Sequence, residues 1–426
     1  MEMIDALREL VSYRSISEPE GESYPYGKET DRAKNFVLDL AKELGMRTVD
    51  VPGKYAYVEI GEGEELIGIL SHLDVVPEGD GWTRAPFGGE VTEDRIYGRG
   101  TTDDKGPTIA VLYAMKDLMD SNPQRLTKRI RLILGQCEEN GEWEDIRAYK
   151  EKEELPSCGF TPDGDFPAIQ CELGATVFRV TMPLAESGIL YATGGTASNM
   201  VPASATIRTA GGEYAGDGVT CHGCAPWLGV NAISKAMHQI AEEEDAAFAT
   251  IYDALIGETI YGEKLGIACK DESGPLTLNV GTISSEENML TMMIDIRYPA
   301  SHDGDVMIQQ VRNKFREKGC GCECIYHAHP QYTPSTSPVL HALLRAYRDV
   351  THDNSEPISI GGGTYAKAMP HIVAFGPNFP GHENREHRED EYILLSDFRM
   401  LREIYRKAIE NLLAIEPGLS AETVEQ

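Results

Sequence analysis

In the stretch SHLDVVPEGDGW, residues 71–82, His72 and Asp74 stand two positions apart, directly after the apolar run ELIGIL. Alternate residues of a strand point to one face, so an imidazole and a carboxylate with this spacing at a strand's carboxyl end suit a metal ligand and its orienting partner. A solvated carboxylate beside a satisfied histidine fits the same residues. Four further stretches carry ligand residue types at loop positions: GRGTTDDKGP with Asp103 and Asp104, CEEN with Glu138 and Glu139, TPDGDFP with Asp163 and Asp165, and GHENREHREDEYI with His382 and His387. Singly, a glutamate pair is an ordinary surface feature, and a histidine in a charged loop is more often incidental than a ligand. Each of these nevertheless follows or interrupts an apolar strand. Together they supply the carboxylates and imidazoles of a two-metal site, an arrangement suited to the hydrolysis of amides and phosphates.

Such residues need elements to hold them. Between residues 55 and 135 the pattern alternates: strands near YAYVEI and LIGILS, a helix through GPTIAVLYAMKDLMDS, then a strand at RIRLILG. This order predicts an α/β fold, a mixed sheet flanked by helices. Functional groups gather at the carboxyl ends of strands in such sheets, and both His72 and CEEN fall there. From about Thr176 the texture changes to amphipathic strands (TVFRVTM, SATIRTA, TMMIDIRYP) and one helix through GVNAISKAMHQIAEEEDAA, which reads as a separate α+β unit. A helix within QYTPSTSPVLHALLRAYRDV, a buried strand at HIVAFGP and a closing amphipathic helix at LSDFRMLREIYRKAIENLLAI then complete the first domain. The expected organisation is a discontinuous domain of residues 1–174 and 331–426, interrupted by an inserted domain of residues 175–330.

Composition narrows the function classes. The chain has 426 residues, 41% hydrophobic and 25% charged, and carries a net charge of −30. That charge opposes binding to nucleic acid or to an anionic membrane surface, and no apolar run approaches the roughly 18 residues of a membrane span. The amino-terminal stretch has Glu2 and Asp5 where a signal peptide carries positive charge, and its Ile4, Leu7, Leu10 and Val11 follow helical spacing. A starting helix in a cytoplasmic protein is expected. Nine cysteines, an odd number spread over a large chain, fit reduced thiols better than a disulfide framework.

The ordered series SHLDVVPEGDGW, PFGGEVTEDRIYGRGTTDDKGP, EENGEWEDI, TPDGDFP, NMVPASA, HGCAPWLGVNAI, DIRYP, GGGTYAKAMP and HREDEYI resembles the M20 metallopeptidases over essentially the whole chain. Within them it is most similar to the dipeptidase V-like group of Xaa-His and carnosinase-like dipeptidases. The resemblance implies two divalent metals bridged by Asp103, one completed by His72 and Asp163 and the other by Glu139 and His387. Zinc is the expected metal, and a carboxylate-rich site also accepts manganese or cobalt. Glu138 is implied as general base and later acid, and Asp74 as the group that orients His72 and fixes its tautomer. His387 is preferred to His382 because an acidic pair and an aromatic follow it, and Asp163 to Asp165 because it directly follows Pro162.

In the inserted domain, the resemblance implies that His222 polarises the scissile carbonyl and that Asn199 and Arg297 contact substrate. Arg297 has the fork to pair with a terminal carboxylate, or to form a structural ion pair. The backbone of GGGTY, including Gly362 and Gly363, allows close approach of a ligand. Cys137 stands where the family more often has a polar or acidic residue. The insertion resembles the enlarged lid by which dipeptidase V-like members complete their site within one chain, so a monomer is expected, as is a cis peptide between Asp103 and Asp104.

The implied activity is cleavage of dipeptides or very short peptides with a free amino terminus. Its rivals are an M20-type deacylase of N-acyl amino acids, with the same metals and base, and a catalytically inactive binding protein on the same fold, against which the intact Glu138 argues. Other motifs lead nowhere. GRGTTD ends on Asp103 rather than the glycine or alanine of a dinucleotide fingerprint, and no G-x-S-x-G nucleophile elbow occurs. Cys221 and Cys224 flank His222, and Cys320, Cys322 and Cys324 read as strand packing rather than a structural zinc site.

Overall fold

The computed structural model describes residues 1–121 and 126–416. The chain divides into two compact units, one of Met1–Gln170, Thr333–Ile358 and the chain from Thr364 onward, the other of Cys171–Tyr332 and Ser359–Gly363. The expected split placed everything after residue 330 in the first domain. Residues 359–363 group instead with the second unit, where Ile360 O accepts from Leu173 N at 2.9 Å and Gly361 O from Arg297 Nη1 at 2.8 Å.

The first unit is built on a sheet whose strands run in the order Arg47–Val51, Tyr55–Ile60, Arg129–Gly135, Leu66–His72, Cys158–Thr161, Ile372–Ala374, Ile169–Glu172. Four of these, Arg129–Gly135, Leu66–His72, Cys158–Thr161 and Ile372–Ala374, pair in parallel. Leu66–His72 is buried along its whole length, the signature of a central parallel strand covered on both faces. Parallel pairing brings the carboxyl ends together: His72 stands opposite Gly135, and Thr161 opposite Ala374. The loops that follow these strands carry Asp74, Glu138, Glu139, Asp163 and His387.

Helix Lys105–Ser121 packs on strand Leu66–His72, and Leu395–Leu413 lies between it and Pro338–Thr351. Leu7, Val37, Ile69, Leu112, Leu132, Leu343 and Phe398 belong to the continuous apolar core these elements share. The expected starting helix is Met3–Val11, with Leu7, Leu10 and Val11 buried. A second, three-stranded sheet pairs Glu90–Val91 with Arg95–Tyr97 and Arg95–Tyr97 with Tyr392–Leu394, which fixes the loop after Tyr97 against the segment preceding Tyr392.

The second unit has its own antiparallel sheet, in the order Glu213–Asp217, Ser204–Arg208, Tyr191–Gly194, Thr277–Glu286, Met289–Tyr298, Gly174–Pro183, Gly321–Ala328. It shares a separate core with helices Ala232–Glu243, Ala247–Leu255 and Gly304–Arg316. The single helix predicted through GVNAISKAMHQIAEEEDAA breaks after Glu243 and restarts at Ala247. Acidic residues crowd the negative end of the first helix's dipole. Glu244 there leaves helical geometry, and its carboxylate takes the hydroxyls of Thr209 at 2.8 Å and Tyr214 at 2.5 Å.

Candidate metal centre

At the carboxyl ends of the parallel strands, His72 Nε2 lies 2.9 Å from Asp103 Oδ1, and His387 Nε2 lies 2.8 Å from Asp103 Oδ2. One carboxylate therefore faces two imidazoles, one through each oxygen. His387 Nε2 is also 3.2 Å from Glu139, and His72 Nε2 is 3.7 Å from Asp163 Oδ2. Two sets of groups converge closely enough to share a cation: His72, Asp103 and Glu139, and His72, Glu138 and Asp163. His382 takes no part; its Nδ1 pairs with Asp397 at 2.8 Å.

The supports around these groups are specific. The Asp103–Asp104 peptide is cis. While Asp103 faces the imidazoles, Asp104 accepts from Ser71 Oγ at 2.5 Å and from the His72 N–H at 3.1 Å, fixing the end of the histidine's strand. The atom nearest His72 Nδ1 is the Asp74 backbone oxygen, at 3.0 Å, with the carboxylate at 3.5 Å. The two carboxylate oxygens accept the N–H groups of Glu138 and Glu139, at 3.1 and 3.0 Å. Asp74 thus holds the glutamate pair through its side chain and meets the imidazole with both its backbone oxygen and its carboxylate.

Three supporting residues were not singled out from sequence. Asp145 Oδ2 accepts from the N–H groups of Gln136 and Cys137, at 2.5 and 3.3 Å, and from the Tyr365 hydroxyl at 3.0 Å. The Tyr365 ring meets His72 edge-on at 6.2 Å, and it lies so close to the main chain that a Cβ on Gly135 would come within 2.4 Å of it. Glu391, fully buried, pairs with Arg99 at 2.6 Å and accepts from the N–H groups of Gly100 and Thr102, both at 3.0 Å. It braces the loop that ends in Asp103. Cys137, the departure from the family pattern, is buried, and burial pushes its thiol pKa far up. It packs as an uncharged side chain, with its main chain held by Asp145.

The electrostatics ask for cations. Burial, reinforced by Asp103, pushes Glu139 up to about 7 and Asp163 well above the carboxylate range, and burial does the same to Glu138. Asp103 goes the other way, because His387 and His72 outweigh its own burial. Four carboxylates and two imidazoles this close cannot all adopt their charged and neutral forms without positive charge between them. Buried His72 Nε2 and Asp103 Oδ1 have no hydrogen-bond partner although they lie 2.9 Å apart. Lone pairs aimed at common points by oxygen and nitrogen donors fit divalent metal ions.

Within the second unit, His222, Arg297 and the glycine run also come together. Asp295 takes the Arg297 fork, with Nε at 2.9 Å and Nη2 at 3.0 Å, while Nη1 donates to Gly361 O at 2.8 Å. The structural ion pair considered for Arg297 is present. Asn199 is exposed, and its backbone oxygen accepts from Gly223 N at 2.6 Å, beside His222. Gly362 and Gly363 follow directly on Gly361. All nine cysteines are free thiols, and no helix among the described residues is long and apolar enough to cross a membrane.

The chain is similar to known proteins. A Bacillus subtilis (strain 168) protein under the provisional name dipeptidase YtjP is 35% identical over 92% of each chain. Human carnosine dipeptidase 1 superposes with a TM-score of 0.64 at 15% identity, covering 97% of this chain and 96% of its own. Bacillus subtilis YXEP, described as a dinuclear metal binding peptidase from the M20 family, superposes with a TM-score of 0.55 at 12% identity, over 96% of this chain and 97% of its own. At such identities the two structures speak to the fold alone. The model of peptidase family M20/M25/M40 matches residues 68–411, and the chain is a metallopeptidase of that family.

Proposed function

We propose that this chain is a dinuclear metal-dependent dipeptidase acting on dipeptides or very short peptides with a free amino terminus. The observation that carries the reading is the Asp103 carboxylate facing His72 through one oxygen and His387 through the other. Asp103 would be shared between two cations, with His72 and Asp163 completing one set and Glu139 and His387 the other. Zinc is the expected metal, with manganese and cobalt also compatible with these donors. When bound, such a pair of cations supplies Lewis acidity and lowers the pKa of water towards about 7.

The chain's own residues do the rest. Glu138 takes a proton from the attacking water and returns it to the leaving amine. Its burial raises its proton affinity, which suits a group that must both accept and donate. Asp74 holds the Glu138 N–H, so the carboxylate is presented from a fixed main chain. His222 donates to the scissile carbonyl oxygen, and Asn199 with the Gly362–Gly363 backbone contacts substrate. Arg297 contacts substrate as well, and its Nη1 holds the Gly361 carbonyl. The provisional name of the B. subtilis relative favours a dipeptidase over a deacylase. We further propose a cytoplasmic monomer, the compartment on its nine free thiols and the monomer on the insertion's resemblance to a lid.

The test is a panel of dipeptides, tripeptides and N-acyl amino acids assayed with zinc and with manganese. Turnover of dipeptides with a free amino group is expected, with little for the acylated compounds. Preference for N-acyl amino acids would make the protein a deacylase, and inactivity with both metals on every compound would leave only a binding role.

A further inference from the structure

Cys224 lies two residues after His222, and its main chain and side chain both reach one atom of that ring. The Cys224 backbone N–H donates to His222 Nδ1 at 3.2 Å, and its Sγ lies 2.9 Å from the same nitrogen. We propose that Cys224 is the positioning residue that fixes His222 as the neutral imidazole with its proton on Nε2.

The argument is one of donors and acceptors. A backbone N–H can only donate, so the nitrogen it addresses carries a lone pair and no proton. Because that nitrogen has no proton to give, the thiol beside it acts as a second donor sharing the one lone pair. A neutral imidazole has one N–H, which leaves Nε2 as donor. That is the form a group polarising a carbonyl oxygen needs, since the other tautomer would turn a lone pair toward the oxygen. The inference therefore rests on the proposed carbonyl-polarising role of His222.

Neighbouring residues hold Cys224 in place. A Cβ at Gly361 would come within 2.3 Å of the Cys224 Cβ, so only glycine admits this approach. Gly361 is fixed by Arg297 Nη1 at 2.8 Å, and Arg297 by the buried Asp295. On the other side, Gly223 N bonds Asn199 O at 2.6 Å, and Met200 and His222 form an antiparallel bridge. Desolvation by surrounding protein and the Arg297 guanidinium both disfavour the imidazolium, against the weaker opposing influence of Asp295, in keeping with a neutral ring.

The test reads the tautomer directly. Long-range ¹H–¹⁵N correlation spectra of the zinc-loaded, ¹⁵N-histidine-labelled enzyme are recorded, with His222→Gln assigning the His222 signals. An unprotonated Nδ1 and a protonated Nε2 are expected. Cys224→Ala keeps the backbone donor but loses the thiol, so the Nε2-protonated form should stay in excess with a measurable admixture of the Nδ1-protonated form. Its kcat should fall about five- to tenfold with KM nearly unchanged, the effect of one neutral hydrogen bond. Cys224→Ser, which restores a donor, should recover most of both changes. A protonated Nδ1 in the native enzyme, or a Cys224→Ala variant with native spectrum and native kcat, would overturn the proposal. If His222→Gln keeps full turnover, the carbonyl-polarising role fails, while the tautomer is still decided by the spectrum.

Discussion

Glu138 and Glu139 show how little residue type says about role. Their N–H groups are held by the two oxygens of one carboxylate, Asp74, yet their side chains join different convergent sets, Glu138 with Asp163 and Glu139 with Asp103. If Glu138 moves the proton, Glu138→Ala should keep both metals and lose about 10² to 10⁴-fold in turnover. Glu139→Ala should instead lose metal and partly recover at high metal concentration, because an anionic donor is gone. Elemental analysis beside turnover against added metal separates the two. A Glu138→Ala enzyme that binds one metal fewer and is rescued by excess metal would reverse the roles. Tyr365 offers a finer test. Tyr365→Phe keeps the ring against His72 and removes only the hydroxyl on Asp145. A stability loss of about 1 kcal/mol with unchanged metal content is expected, read by urea titration and elemental analysis; loss of a metal would mean that the hydroxyl sets the histidine's position too.

At the scale of elements, the sequence was most legible where local pattern and local chemistry agree. LIGILS and RIRLILG read as buried strands and are the central parallel pair, with His72 and Glu138–Glu139 at their carboxyl ends. The choice of His387 over His382 came from the residues following each; His387 stands beside Asp103 and Glu139, and His382 beside Asp397. What could not be read are couplings between distant segments. Asp145 and Tyr365 are 220 residues apart and Arg99 and Glu391 are 292 apart, and no local pattern marks either pair. Arg297 was ambiguous because its partner, Asp295, stands on the same strand and the same face, a pairing that spacing permits without requiring. Glu391 carries the sharpest consequence here. It compensates a buried guanidinium and three main-chain donors in the loop before Asp103, the third being Asp103 N at 3.5 Å. Glu391→Ala leaves Arg99 buried and unpaired, which should cost about 3–5 kcal/mol. The loop should also loosen enough to weaken metal binding. Urea denaturation and metal titration check both, and a variant of native stability would show that water or another group replaces the carboxylate.

For the molecule as a whole, the metal centre makes stability depend on pH in a way that removing the metal should expose. Without cations, Glu139 is pushed up to about 7 and Glu138 and Asp163 well above the usual range. The folded chain therefore binds protons that the unfolded chain releases near pH 4 to 4.5. Their contribution is complete below that range and is lost as pH rises through about 7. Both histidines act with the same sign. His387 is pushed up to about 12 and His72 is also raised, as their carboxylate neighbours outweigh burial, so their share is lost progressively above about pH 6.5. Asp103, held low, acts in the opposite sense only at acid pH. Between pH 5 and 8 the metal-free protein should thus become steadily less stable. Cations replace those protons and bind more tightly as pH rises, and because they bind the folded state they stabilise it by mass action. The background of a chain with net charge −30 is common to both forms and cancels in their difference. Urea midpoints at pH 5, 6, 7 and 8, with chelator and with excess zinc, should therefore diverge as pH rises. Parallel curves would mean that these carboxylates do not share buried protons when the metals are gone.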